Sequence, residues 1–135
     1  MARGTPDYIT MTQVAVTVNN VPVVAEVGTE VAAGAIGRYS GAAVVYQTLA
    51  SWTVAAGKTG ELKEILILSD KYTITEIQIT IDGTVYKTAW IMLAAMPLIF
   101  EDLKLDSGAV VLVEVLSTTG AAIVVDCAIT GKEIG

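Results

Sequence analysis

The chain has no histidine and a single cysteine among its 135 residues. The first absence removes Ser–His–Asp and Cys–His catalysis, imidazole acid–base chemistry and the commonest transition-metal ligand at one stroke. The second excludes an intrachain disulfide and a cysteine-rich metal centre. Cys127 lies in the apolar run IVVDCAIT, where a buried structural thiol is expected; a reactive thiolate wants a nearby cation or histidine. Charge is scarce as well. Asp, Glu, Lys and Arg make up 16% of the chain, against about 25% in an ordinary soluble domain.

What charge there is leans acidic, with a net −6 and a pI near 4.4. Residues 1–50 hold two basic and three acidic groups, residues 51–135 six and eleven. No basic patch exists to attract a phosphate backbone, so nucleic acid is not an expected partner. Long apolar runs are missing too. A spanning helix needs about 20 apolar residues. The densest run, TAWIMLAAMPLIF, has 13 and contains Pro97. The run from Tyr39 to Gly57 is broken by Tyr, Gln, Ser, Thr and Gly. No membrane span is expected, and MARGTPDYITMTQ lacks the apolar core of a secretory signal.

Against these absences stands an excess. Hydrophobic residues are 53% of the chain and the mean hydropathy is +0.63. Three kinds of protein fit: a membrane protein, an aggregating one, or a subunit that buries apolar surface against copies of itself. With the membrane set aside, self-association is the expectation.

The apolar residues recur with the period of strands. Val14, Val16 and Val18 alternate with Ala15 and Thr17, and Val21 to Val27 is a candidate return strand with Pro22 at an edge. Glycines 28, 34, 37 and 41 then punctuate an alanine-rich segment, read as irregular with room for a short helix within Glu30 to Ile36. From Ala43 the alternation is regular: AVVYQTLASWTV, LKEILILS, YTITEIQITI, TVYKTAWIM, an edge strand after Pro97, AVVLVEVLS and AAIVVDCAIT. Asp82-Gly83 is a strong hairpin signal, because a type I′ turn needs positive φ at both central positions. It predicts Ile81 opposite Thr84 and Ile79 opposite Tyr86. Thr118-Thr119-Gly120 suggests a last hairpin. About eight strands at 8–12-residue spacing imply an all-β fold, a β-sandwich or jelly roll spanning 43–135, with an extended N-terminal arm over 1–42.

One strand breaks its own pattern. In YTITEIQITI the apolar residues shift from even positions (Tyr72, Ile74) to odd ones (Ile77, Ile79, Ile81). Either a bulge near Thr75-Glu76 resets the register, or both sheet faces are covered. AVVLVEVL favours the second, with Val111, Val113 and Val115 on one face and Val110, Leu112 and Leu116 on the other. The first 42 residues, a neighbouring subunit, or both would provide that cover.

No motif carries chemistry. AAGKTGE has G-K-T, but Trp52 stands where a phosphate loop has its first glycine, and a strand pattern follows in place of a helix. It reads as a turn between strands. Glu101, Asp102 and Asp106 do not match a calcium-loop spacing. Glu64, Glu76 and Glu114 sit singly in strands, without a hydrolase motif. Neither enzyme activity nor a cofactor is expected. Tyr39, Tyr46, Trp52 and Trp90, with Val14, Val16 and Val18, are the candidate subunit-interface residues, since aromatics anchor interfaces. Core packing is the plainer role for Trp90, and a sugar-stacking platform a third.

From Trp52 onward the order of parts resembles small β-sandwich proteins of tailed-phage and related virions, of the head-decoration or fibre type. The parts are WTVAAGKTGELKEILILSD, ITEIQITIDGTVY, PLIFEDLKLDSGAVVLVEV and AAIVVDCAITGKEI, and the resembling segment covers about 85 of the 135 residues. The resemblance implies a non-enzymatic virion surface protein, often trimeric, fixed to the major capsid protein by its N-terminal part. Its expected location is the virion, otherwise the extracellular space. Two alternatives remain. One is a filament subunit in which Gln13 to Val18 completes a neighbour's sheet. The other is a carbohydrate-binding module using Trp52 or Trp90.

Overall fold

The structure, a computed structural model, describes residues 29–135. The segment holding Val14, Val16, Val18 and the expected return strand lies outside the described residues. Eight strands follow in order: β1 (Glu30–Gly41), β2 (Gln47–Thr53), β3 (Thr59–Ser69), β4 (Thr75–Ile81), β5 (Thr84–Ile91), β6 (Met96–Leu105), β7 (Val110–Ser117) and β8 (Ile123–Ile134). They form two four-stranded antiparallel sheets, β1-β8-β3-β6 and β2-β7-β4-β5. Chain neighbours from β1 to β4 alternate between sheets, as do β6, β7 and β8. This is the double Greek-key order of a jelly roll.

The alternation of β7 and β8 shows how sequence makes the core. Val111, Val113 and Val115 face inward from one sheet, and Ile123, Val125, Cys127 and Ile129 from the other. Ile65, Ile67, Ile77 and Ile79 complete the central layer. Each such side chain withdraws roughly 1.5–3 kcal/mol worth of apolar surface from water. The buried polar groups are satisfied. Thr75 Oγ1 donates to the Lys71 carbonyl at 2.7 Å, and Ser117 Oγ to the Ala121 carbonyl at 2.7 Å.

Four expectations are corrected. First, residues 30–41 are a full strand, paired with β8 from Glu30↔Ile134 to Gly41↔Ile123; they belong to the sandwich, not to an arm ending at residue 42, and hold no helix. The alternation there was hard to see because the inward side is built from Ala33, Ala35 and Gly37. Bulk is excluded: a Cβ on Gly37 would stand 1.9 Å from the Leu49 carbonyl oxygen. Second, the phase change in YTITEIQITI is neither a bulge nor a two-faced strand. Tyr72–Ile74 forms a 3₁₀ turn, and the strand starts at Thr75. Third, β7 and β8 do not form a hairpin; the loop 118–122 crosses between the sheets. Fourth, the Asp82-Gly83 turn is present, with φ of 50° and 80° and Ile81 opposite Thr84, but Ile79 faces Lys87 because Tyr86 is bulged out.

Bulges do shift phase elsewhere. One in β2 around Leu49 allows Leu49 and Ala50 to be buried in succession, and one in β3 around Lys63 moves the inward side from Leu62 to Ile65 and Ile67.

Candidate assembly surface

The aromatic candidates separate once placed. Trp52 is only 5% exposed and belongs to the core, which corrects its assignment to a subunit contact. Its ring packs over Gly60 and Gly131, and its indole N–H donates to Glu133 Oε2 at 3.0 Å. The same carboxylate accepts the Ala55 N–H at 3.2 Å. Tyr39 also packs against the core, and its hydroxyl accepts the Ala43 N–H at 3.0 Å. Tyr46 is half-buried; it donates to Glu76 Oε2 at 2.6 Å and accepts from Ala89 N at 3.1 Å. Burial and the adjoining Glu76 carboxylate both hold its pKa above the usual phenol value.

Trp90 alone lies at the surface, 39% exposed, on β5. Strands β5 and β6 are each one edge of their sheet, and the bulged Tyr86 meets Phe100 between them at 5.5 Å. Lys87 Nζ sits 4.1 Å from the Trp90 ring centroid, covering one face with a cation–π contact. Buried Trp52 has no face to offer a sugar, and Trp90 offers at most the other side of its ring.

The two outer sheet faces differ in kind. That of β2-β7-β4-β5 is interlaced by hydrogen bonds: Gln78 Nε2 to Glu114 Oε1 at 3.0 Å and Thr88 Oγ1 to Gln78 Oε1 at 2.6 Å, beside the Tyr46–Glu76 pair. Leu112 and Leu116 lie half-buried among these groups. The outer face of β1-β8-β3-β6 carries instead an apolar row crossing all four strands. Register puts Ile36 opposite Ala128, Ala128 opposite Leu66, and Leu66 opposite Pro97. Ile36 is 89% exposed, and Ile99, on the next row, 68%. An antiparallel sheet normally presents polar residues on its wet side; contiguous exposed apolar surface marks a contact site. None of these row residues was singled out from sequence, because the row exists only through cross-strand register.

Ion pairs flank this row on the same face and lie elsewhere on the surface. Arg38 grips Asp126 with two bonds, of 2.6 and 3.1 Å, and Lys104 meets Glu61 at 3.0 Å. Asp102, in the expected acidic cluster, pairs with Lys63. Among the described residues no group of three or more acidic or cysteine side chains is placed to hold a metal. The G-K-T stretch is a crossing turn between β2 and β3, with Gly57 N–H on Ser107 Oγ at 2.9 Å. Cys127 is buried, and desolvation pushes its pKa up to about 12. No helix among the described residues is long and apolar enough to cross a membrane.

No protein-family model matches the chain, and the comparisons with curated proteins and with solved structures found no match. The fold therefore defines the class: an eight-stranded antiparallel β-sandwich of jelly-roll order.

Proposed function

We infer that this chain is a structural subunit of a virus particle, a capsid decoration protein without enzymatic activity. It self-associates and reinforces the shell through the apolar outer face of β1-β8-β3-β6. The observation that carries this reading is the row Ile36–Ala128–Leu66–Pro97 with Ile99 beside it. Exposing a face of that composition to water costs free energy, and covering it lowers the free energy. The architecture agrees, since jelly rolls recur as shell-building modules. So does the order of parts from Trp52 onward. Thr29, the first described residue, lies at one end of the sandwich: Gly135 N–H donates to its carbonyl at 3.2 Å, beside the 54–58 and 106–109 loops. Small contacts repeated in many copies add up to a large stabilisation of a shell.

The test is solution mass by light scattering across a concentration series. A stable dimer, trimer or larger species is expected. Ile99→Lys, at a site already open to solvent, should leave the fold intact and shift the assembly to smaller species. A clean monomer at high concentration would overturn self-association.

A further inference from the structure

A jelly roll has four edge strands, each a row of backbone N–H and C=O groups that invites another strand. Three of the four are spoiled for that purpose. β6 carries Pro97 and an irregularity in which Phe100, Glu101 and Asp102 face Lys63 alone, with Asp102 at φ 56°. β5 has two register shifts within eight residues and Ala89 at φ 53°. β2 is seven residues long and bulged at Leu49. β1 is different. It runs twelve residues in unbroken register with β8, its single positive φ (137°) falls on a glycine, Gly34, and no described strand pairs along its other side. Between Glu30 and Arg38 it holds only small or aliphatic residues, and around Gly34 a shallow hollow is lined by Ala32, Ile36 and Thr130.

The geometry points to an antiparallel pairing of β1 with β1 of a second copy about a two-fold axis at Gly34. That register sets Ala32 opposite Ile36 of the other copy, Ala33 opposite Ala35, and Glu30 opposite Arg38. Charge selects it. Within one copy Lys132 meets Glu30 at 3.1 Å, and Arg38 grips Asp126. Joined at Gly34, Glu30 meets Arg38 of the second copy, with Lys132 reaching Glu30 diagonally from the neighbouring row and Asp126 opposite Arg38, so that charge alternates in sign across four strands. The same alignment places each strongly exposed Ile36 over the small Ala32 of the partner. The two sheets become one of eight strands, and the contact is isologous, so each pairing occurs twice.

This deepens the self-association reading by naming one contact, and it rests on that reading for the meeting of copies. The test is disulfide trapping in the full chain. Facing residues of an antiparallel pair have Cα atoms about 4.5–5.5 Å apart, within disulfide reach. In one strand residues 32 and 36 are roughly 13 Å apart and cannot bridge. The variant Ala32→Cys with Ile36→Cys should therefore give a covalent dimer on oxidation, most of the chain shifting to twice its mass. Either single variant should give none, the buried Cys127 remaining inert. A dimer from Ile36→Cys alone means a slipped register and overturns the proposal. So does a bridge in Val16→Cys with Ile36→Cys when the 32/36 variant gives no dimer; the N-terminal segment then occupies the edge. If light scattering shows an oligomer of the unaltered chain while 32/36 does not cross-link, the edge pairing fails and self-association stands. If the unaltered chain is a monomer and 32/36 does not cross-link, both fail.

Discussion

Trp52 and the glycines under it show how one residue sets demands on others. The indole reaches across the end of the sandwich to Glu133, and Gly60 and Gly131 leave room for its ring. A Cβ at Gly131 would stand 2.4 Å from the Glu61 carbonyl oxygen and 2.8 Å from the ring. One neighbour is backbone, so little can yield. Gly131→Ala should therefore cost about 2–3 kcal/mol, in the range of overpacked cores, read as a lowered midpoint in urea unfolding. An unchanged midpoint would mean the ring is not seated there. That Trp52 is a core residue could not be read from its neighbours in sequence. Its alternation with Val54 fits a strand, but which side faces inward depends on the bulge at Leu49.

At the scale of elements, local chemistry was mostly legible and pairing was not. The Asp82-Gly83 hairpin was evident because its φ requirement is written in the two residue types. Gly83 has φ 80° and open space around it. Gly83→Ala should then cost only the left-handed backbone term, about 1–2 kcal/mol, measured by thermal or urea unfolding. A larger loss would show that the turn does more than reverse the chain. The 3₁₀ turn at Tyr72–Ile74 was misread because its apolar residues mimic strand alternation; Thr75 ends it by turning its hydroxyl back to the Lys71 carbonyl. β1 was missed for a different reason. Its inward side is small because Leu49 lies so close, which hides the usual contrast of large apolar and polar residues.

For the whole molecule the acidic balance sets the response to pH. Asp126 and Asp102 are held below the usual aspartate range by hydrogen bonds from Arg38 and Lys63, and Glu61 is lowered by Lys104. Carboxyl groups lowered by folding contribute stability above their unfolded values, near 4, and lose it as pH falls through their folded values. The melting temperature should be level from neutral pH to about 5 and fall below about 4, less steeply at high salt because these pairs are exposed. Tyr46 acts in the opposite sense. Its raised pKa contributes stability below about 10 that is lost as pH rises through the folded value. Tyr46→Phe should flatten the alkaline limb of the melting curve. An alkaline limb identical to that of the unaltered chain would show that the phenol is not shielded by burial and Glu76.

The sequence by itself determined the all-β class, the turn at Asp82-Gly83, the alternation of β7 and β8, and the excess of apolar surface. These follow from side-chain period and local φ preference, which act between near neighbours in the chain. The tertiary structure alone decided the order β1-β8-β3-β6 over β2-β7-β4-β5, the core position of Trp52, and the row from Ile36 to Pro97. Each depends on which strands lie side by side and in what register. That is set by the collective filling of one core and by bulges whose positions no single strand reveals.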